Sequence, residues 1–379
     1  MSFKILKKYS YLDNASSTQK PKEVINAITD FYENSYSNTH RGVYYLSEKA
    51  TDLFEKSREK VAKLINCNTN EVVFTSGATQ ALNYLAQAYK NKTVLVTEIE
   101  HHSNIVNWQK HAKQVNYVPY NKDLGMLDHI PFHYNNEDIV SFTMMSNVSG
   151  EILNVKKIIS ELKEKNPNVI IILDACQSMS HMKIDVKELN CDFLAFSGHK
   201  MYGPMGVGVL FGKQKHLEEL DPFIYGGNMV LDVGKEKTTF KQPPHKHEAG
   251  TMNGAGVIGL GAAIDFLLNN FEEKVKKEKE LQDYLVKNLR KEGALIVGHT
   301  SDNFGPVVSF ILDIHPHDFA TICDRDNVCI RAGHHCAQLF MEKLNVVSTC
   351  RASLSFYNTK KDVDKLINCI KKARGILNG

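Results

Sequence analysis

The chain has 379 residues, enough for one large or two ordinary domains, each able to bury a core of its own. Its 46 lysines and arginines nearly balance its 43 aspartates and glutamates, which argues against nucleic acid or an anionic membrane as a partner and for a small substrate. The longest aliphatic run, Val169–Leu173, is too short to span a bilayer, the N-terminus lacks an apolar stretch of signal-peptide length, and the eight cysteines form no Cys-x-x-Cys pair, so a cytoplasmic protein with reduced thiols is expected.

In chain order, EVVFT (71–75) predicts a strand, SGAT (76–79) a turn and ALNYLAQAY (81–89) a helix with Leu82, Leu85, Ala86 and Tyr89 on one face. TVLVT (93–97), DIVSFTMM (138–145) and VIIIL (169–173) predict further strands, with a helical stripe of Leu153, Ile158, Ile159 and Leu162 between the last two. DFLAF (192–196) and MGVGVLFG (205–212) are strand-like and flank SGHKMYGP (197–204). Strands apolar on both faces imply a parallel sheet covered by helices. Beyond about Ala263 the pattern changes. A lysine- and glutamate-rich helix (roughly 265–291) leads to the strand PVVSFILDI, a helix near HDFATICDR, the short strand VCI, the strand RASLSF and an amphipathic helix from about Lys360. The expected division is a large α/β domain over 14–264 and a smaller α+β domain made of 1–13 and 265–379.

Three groups fall just past strand ends, where ligands of open α/β sheets bind. SGAT has short side chains and opens a helix, so its free amides and the helix dipole can hold a phosphate. Asp174 closes VIIIL and is costly there unless a cation or donor meets it. Lys200, set among a histidine, glycines and a proline, is poorly placed for a solvated surface charge. Singly, each has a plain reading: a helix start, an N-cap for CQSM, a loop lysine. Together they match the needs of pyridoxal 5′-phosphate, namely an anchor, a partner for the pyridinium nitrogen and a Schiff-base lysine. Gly254-Ala-Gly-Val-Ile-Gly259 fits the dinucleotide fingerprint, but no strand precedes it, so its glycines read as close helix packing.

NTHRGVYYLSE (38–48), EHHSNIV (100–106), DACQS (174–178), FSGHKMYGP (196–204), HEAGT (247–251), RAGHHCAQ (331–338) and CRASLSFYNT (350–359) span nearly the whole chain. In this order they resemble the SufS-type cysteine desulfurases, which belong to the class V aminotransferase group of fold-type I pyridoxal-phosphate enzymes. The resemblance implies a large domain with a mostly parallel seven-stranded sheet and a smaller α+β domain. It also implies conversion of L-cysteine to L-alanine through an enzyme persulfide, with the sulfur passed to iron–sulfur cluster assembly. By the same resemblance Lys200 is the Schiff-base lysine and moves the Cα proton, Asp174 pairs with the ring nitrogen, His101 stacks on the ring and Gln177 reaches its hydroxyl. Ala78, Thr79, Ser197 and His199 hold the phosphate, with Thr251 arriving from the other subunit of a homodimer. Asn147, Arg331 and Arg351 bind substrate, Arg351 clamping its carboxylate, and His40, Arg41 and His102 line the pocket.

Cys336 follows two histidines and lies between Arg331 and Arg351, a basic setting that favours the thiolate, and the resemblance makes it the persulfide-forming nucleophile. No long insertion separates it from Arg331. In the family that short cysteine loop goes with delivery to a dedicated acceptor protein, SufE- or SufU-like. A buried structural cysteine, or a metal site with His315 and His317, is the competing reading; no metal is expected, because adjacent histidines seldom point the same way. His245 and His247 read as surface residues. The alternatives to a cysteine desulfurase are a selenocysteine lyase, another fold-type I aminotransferase, or a non-catalytic sulfur carrier, whose thiols would be clustered.

Overall fold

The structure, a computed structural model, describes residues 3–40, 42–123, 125–299 and 302–377. Its main sheet holds β1 (Val72–Thr75), β2 (Thr93–Thr97), β3 (Gln114–Val118), β4 (Ile139–Thr143), β5 (Ile170–Asp174), β6 (Phe193–Ser197) and β7 (Gly208–Gly212). The spatial order is β1-β7-β6-β5-β4-β2-β3. Every neighbouring pair is parallel except those of β7, which runs antiparallel to β1 and β6. This is the mostly parallel, seven-stranded sheet that the motifs imply. The period-2 alternation sends Val73, Val96, Ile172 and Leu210 to one core and Phe74, Leu95, Leu173 and Val209 to the other.

Helices of seven or more residues are α1 (Lys22–Asn34), α2 (Tyr45–Ile65), α3 (Ala78–Ala88), α4 (Val155–Lys165), α5 (Gly254–Leu268), α6 (Phe271–Lys291), α7 (Pro316–Arg325), α8 (Gln338–Leu344) and α9 (Lys360–Leu377). Leu82 and Leu85 of α3 cover one sheet face, while Ile159 and Leu162 of α4 and Leu260 of α5 cover the other. The single helix expected over 265–291 is two. α5 ends at Leu268 and α6 begins at Phe271, with a 75° bend between them. Asn270 turns the corner at φ 56°, a conformation asparagine tolerates better than most residues. The charged pattern belongs to α6 alone; α5 is apolar around most of its surface and buried against α1 and α2. Its glycines serve that packing: a Cβ on Gly259 would lie 2.9 Å from the Ile28 side chain. Among the described residues no single helix is long and apolar enough to cross a membrane.

A second sheet holds β8 (Leu295–Ile296), β9 (Val307–Ile311), β10 (Arg331–Gly333) and β11 (Thr349–Ser353), ordered β8-β9-β11-β10 and antiparallel throughout. Phe310, Phe319 and Leu366 form its core with α6, α7 and α9, and Leu12 joins them from the N-terminus. The predicted strand VCI shortens to Val328–Cys329 and pairs in parallel with Ser10–Tyr11.

Candidate active site

β5 and β6 end side by side in Asp174 and Ser197. Asp174 is 3 % exposed; its Oδ1 accepts from the Cys176 amide at 2.9 Å, and the weakly donating Cys176 thiol also lies against the carboxylate. Residues 176–181 form turns, not a helix, so the N-cap reading of Asp174 fails. The first amide of α3, on Ala78, donates to Ser197 Oγ at 2.9 Å, which ties the SGAT turn to the end of β6. Thr79 is exposed beside it. Lys200 lies in the single 3-10 turn that follows β6, and the preceding His199 keeps a buried Nδ1 without a partner.

His101 stands at the end of the loop after β2. Its Nδ1 accepts from the Ser103 amide at 3.1 Å, which leaves the proton of the neutral ring on Nε2. Burial, then repulsion from Lys200, pushes this imidazole down to about 4 against the opposing pull of Asp174. The ring therefore shares its field with both Lys200 and Asp174 and is neutral at pH 7. His199 is likewise held near 4, by burial and then by Lys200 and Lys20. A phosphate-bearing aromatic cofactor with a protonated ring nitrogen fits this set. It finds a buried carboxylate, an unpartnered imidazole nitrogen, a helix N-terminus and an amine. Gln177 spends its Nε2 on the Ala15 carbonyl at 2.9 Å, so only Oε1 is left for a ring hydroxyl.

The second half of the site comes from the smaller sheet. Arg331 and Arg351 are register partners on β10 and β11. Arg351 is 2 % exposed, donating to the Asn147 carbonyl at 2.8 Å, Ser16 Oγ at 2.8 Å and Asp13 Oδ1 at 3.2 Å, with a buried Nε that has no partner. Arg331 donates to the same Ser16 hydroxyl. One carboxylate against two guanidiniums leaves positive charge for an incoming anion. Asn147 Nδ2 meets the His335 carbonyl at 2.7 Å, and His335, pushed down to about 2 by burial and by both arginines, pairs with Thr349 Oγ1 at 2.8 Å. His335 and Cys336 turn the chain through left-handed φ values of 54° and 55°, leaving Cys336 exposed. The His102 amide donates to the Cys336 carbonyl at 2.7 Å, and His102 Nε2 accepts from the Gln338 amide at 3.0 Å.

Some expected residues stand elsewhere. His40 pairs with Glu55 at 2.8 Å, 5.4 Å ring to ring from His245, and makes no contact with Asn147, Arg331 or Arg351 of its own chain. His40, Glu55 and His245 bring possible ligand atoms within 4.8 Å, but both oxygens of Glu55 are taken, by His40 and by Arg58. Arg41 lies outside the described residues. Thr251 is exposed. His247 is not a surface residue: it is 1 % exposed, stacks on Phe223 at 4.4 Å and meets the Leu217 carbonyl at 2.9 Å, and His245 is half-buried. Sequence reasoning missed Asp13 and Ser16, which hold the arginines, and Glu100. Glu100 is fully buried and bonded to Thr97 Oγ1 (2.5 Å), Asn104 Nδ2 (2.8 Å) and the Thr143 amide (2.9 Å), so it fixes the loop carrying His101 between β2 and β4. Burial pushes its carboxyl up to about 8. The only signal was its place beside the two histidines of EHHSN.

The model of the aminotransferase class-V family matches residues 10–366. A probable cysteine desulfurase of Halalkalibacterium halodurans is 44 % identical over 378 residues, covering 96 % of this chain and 93 % of that one. One from Staphylococcus aureus strain Mu50 is 42 % identical, covering 97 % and 92 %. Among solved structures, the apo cysteine desulfurase of Thermococcus onnurineus NA1 superposes with a TM-score of 0.94 at 31 % identity, covering 98 % of this chain and 96 % of that one. The cysteine desulfurase CsdA of Escherichia coli gives 0.89 at 34 %, with the same coverage. With a sheet order, a lysine turn and a cysteine loop of this kind, matched along almost its full length, the chain belongs to the class-V aminotransferase family, in its cysteine desulfurase group of fold-type I pyridoxal-phosphate enzymes.

Proposed function

We propose that this chain takes sulfur from L-cysteine, releases L-alanine and carries the sulfur as a persulfide on Cys336 for iron–sulfur cluster assembly. The observation that carries the reading is the 2.7 Å bond from the His102 amide to the Cys336 carbonyl, which seats the cysteine loop one residue from His101 and its neighbours Lys200 and Asp174. Bound pyridoxal phosphate supplies the electron sink that lets bonds at the substrate's Cα and Cβ break. Lys200, in the turn after β6, would hold the cofactor through its amine and would then be the base that carries the Cα proton. The Asp174 carboxylate would pair with the ring nitrogen, His101 would cover the ring, Gln177 would accept from its hydroxyl, and Ala78, Thr79, Ser197 and His199 would hold the phosphate. Arg351, aided by Arg331, receives the substrate carboxylate through the Nε that has no partner, and Asn147 supports it. The Cys336 thiolate attacks the substrate sulfur. A sulfur–sulfur bond forms as the Cβ–sulfur bond breaks, the electron pair returns to carbon, and protonation gives alanine.

The exposure of Cys336 supports delivery to an acceptor protein thiol, SufE- or SufU-like, in the cytoplasm. Exposed Tyr32, Tyr36, Val43, Tyr44 and Tyr45 support a homodimer in which a second copy lends Thr251 and His40 to the pocket. The division at 14–264 against 1–13 and 265–379 is supported by the separate core around Phe310. Cys336→Ser tests the reading. It retains cofactor and cysteine binding, but intact-chain mass shows no added sulfur and alanine release falls to background, because a hydroxyl cannot accept sulfane sulfur. Alanine formed at the wild-type rate would mean that another group is the nucleophile. Hydride reduction and digestion should leave a pyridoxyl group on Lys200; finding it on any other lysine would remove the site assignment.

A further inference from the structure

The turn that presents Lys200 is held from outside by the segment Ser16–Lys20. The His199 carbonyl accepts from the Thr18 amide (3.1 Å), Ser17 Oγ (3.2 Å), Thr18 Oγ1 (3.2 Å) and Lys20 Nζ (2.8 Å). Lys20 Nζ also donates to the Thr18 carbonyl at 2.6 Å, and Thr18 Oγ1 accepts from the Tyr202 amide at 2.8 Å. Tyr202 has a left-handed φ of 68°, so the turn adopts a conformation that a non-glycine residue keeps only when its surroundings hold it. Among the four donors the lysine makes the shortest contact, at 2.8 Å, and is the only one able to carry a charge.

We propose that Lys20 is a positioning residue for Lys200: its ammonium, bonded to the carbonyl one residue before Lys200, fixes the turn from which that side chain reaches the cofactor. Lys20 touches neither substrate nor cofactor in this role, and the role rests on the proposed assignment of Lys200. The same segment extends to Ser16, whose hydroxyl meets both Arg351 and Arg331. Residues Ser16–Lys20 thus tie the carboxylate clamp to the lysine turn. Burial draws the Lys20 amine down to about 7, whereas two carbonyl oxygens within 2.8 Å stabilise its charged form.

The test compares Lys20→Met and Lys20→Arg in the purified full-length chain. Amide hydrogen exchange with mass detection, with and without added pyridoxal phosphate, is expected to rise about tenfold or more over residues 198–203 in Lys20→Met and to stay at the wild-type level elsewhere. kcat for alanine release is expected to fall about 10- to 100-fold with KM within about twofold, as for a misplaced catalytic group. Lys20→Arg should restore most of both. Should Lys20→Met not fold, Lys20→Gln, which keeps a donor without the charge, carries the same comparison. Unchanged exchange over 198–203, exchange rising throughout the chain, or a loss confined to KM would each overturn the proposal. Exchange is read without turnover. A flat result therefore counts against Lys20 alone, while a pyridoxyl group missing from Lys200 counts against the assignment of the site.

Discussion

Asp174 and Gln177 lie three residues apart after the same strand, yet they differ in what they offer a bound ring. Asp174 presents a buried carboxylate that accepts one backbone amide, and Gln177 has one neutral acceptor left. A charge-assisted bond contributes about 1.5–3 kcal/mol and a neutral one about 0.5–1.5 kcal/mol. Since each 1.36 kcal/mol is about tenfold in rate, Asp174→Ala should lose about 100-fold in kcat/KM at saturating cofactor and Gln177→Ala about tenfold or less. Equal losses in alanine-release kinetics would reduce Asp174 to a structural role. These residues were legible because their chemistry is local: a carboxylate at a strand end, a lysine between glycines and a cysteine among cations each announce a cost that something must repay. Lys20, Asp13 and Glu100 were not. Lys20 is an ordinary lysine until the fold brings His199 to it, Asp13 until Arg351 arrives, and Glu100 until it meets Thr143.

Among the elements, α5 shows how a sequence pattern can be read correctly in part. Its glycines read as close helix packing, and they allow the helix to approach α1 and α2. A Cβ on Gly261 would lie 2.6 Å from Ser57 Oγ, which can rotate, but also 3.3 Å from Ser57 Cα, which cannot. Replacing glycine by alanine favours a helix by about 1 kcal/mol, while overpacking costs about 1–3 kcal/mol. Gly261→Ala should therefore be destabilising, by about 1 kcal/mol in urea unfolding. Gly375→Ala is the control. It lies in α9 with nothing within 4 Å of its new Cβ, so propensity acts alone and stability should rise by some tenths of a kcal/mol up to about 1. A gain at both positions would show that α5 has room to spare. The break between α5 and α6 escaped the sequence because apolar and charged periodicities ran on without a glycine or proline, and an asparagine made the corner.

At the scale of the whole molecule, stability should depend on pH through groups the fold buries in their neutral forms. Burial holds His101, His199, His247 and His299 near 4 and His335 near 2. An imidazole with a pKa of about 6.5 in the unfolded chain takes up its proton there first, so between these values acid favours unfolding. Glu100 and Glu151 act the other way. Burial raises them to about 8 and about 7, so from about 4.5 upward the folded chain keeps protons that the unfolded chain releases. Between about 4.5 and 6 the five imidazoles outweigh the two carboxyls, and each net proton is worth about 1.4 kcal/mol per pH unit. Above about 7, Glu100 is opposed by Lys20, whose lowered pKa makes the unfolded chain the better proton acceptor, and the profile should flatten towards pH 8. The urea midpoint of the cofactor-free chain should therefore be highest between about pH 6.5 and 8 and fall steeply from 6 to 4.5. His299 offers a check on the cause, because it is buried beside Gln282 and the Val307 carbonyl and none of its hydrogen bonds is to a proposed catalytic residue. His299→Gln keeps a donor for that carbonyl and removes one titration, so the acid limb should shallow by about one proton. A midpoint that is level or rising from pH 6.5 to 4.5, or an acid limb equally steep in His299→Gln, would mean that the buried imidazoles do not govern acid stability.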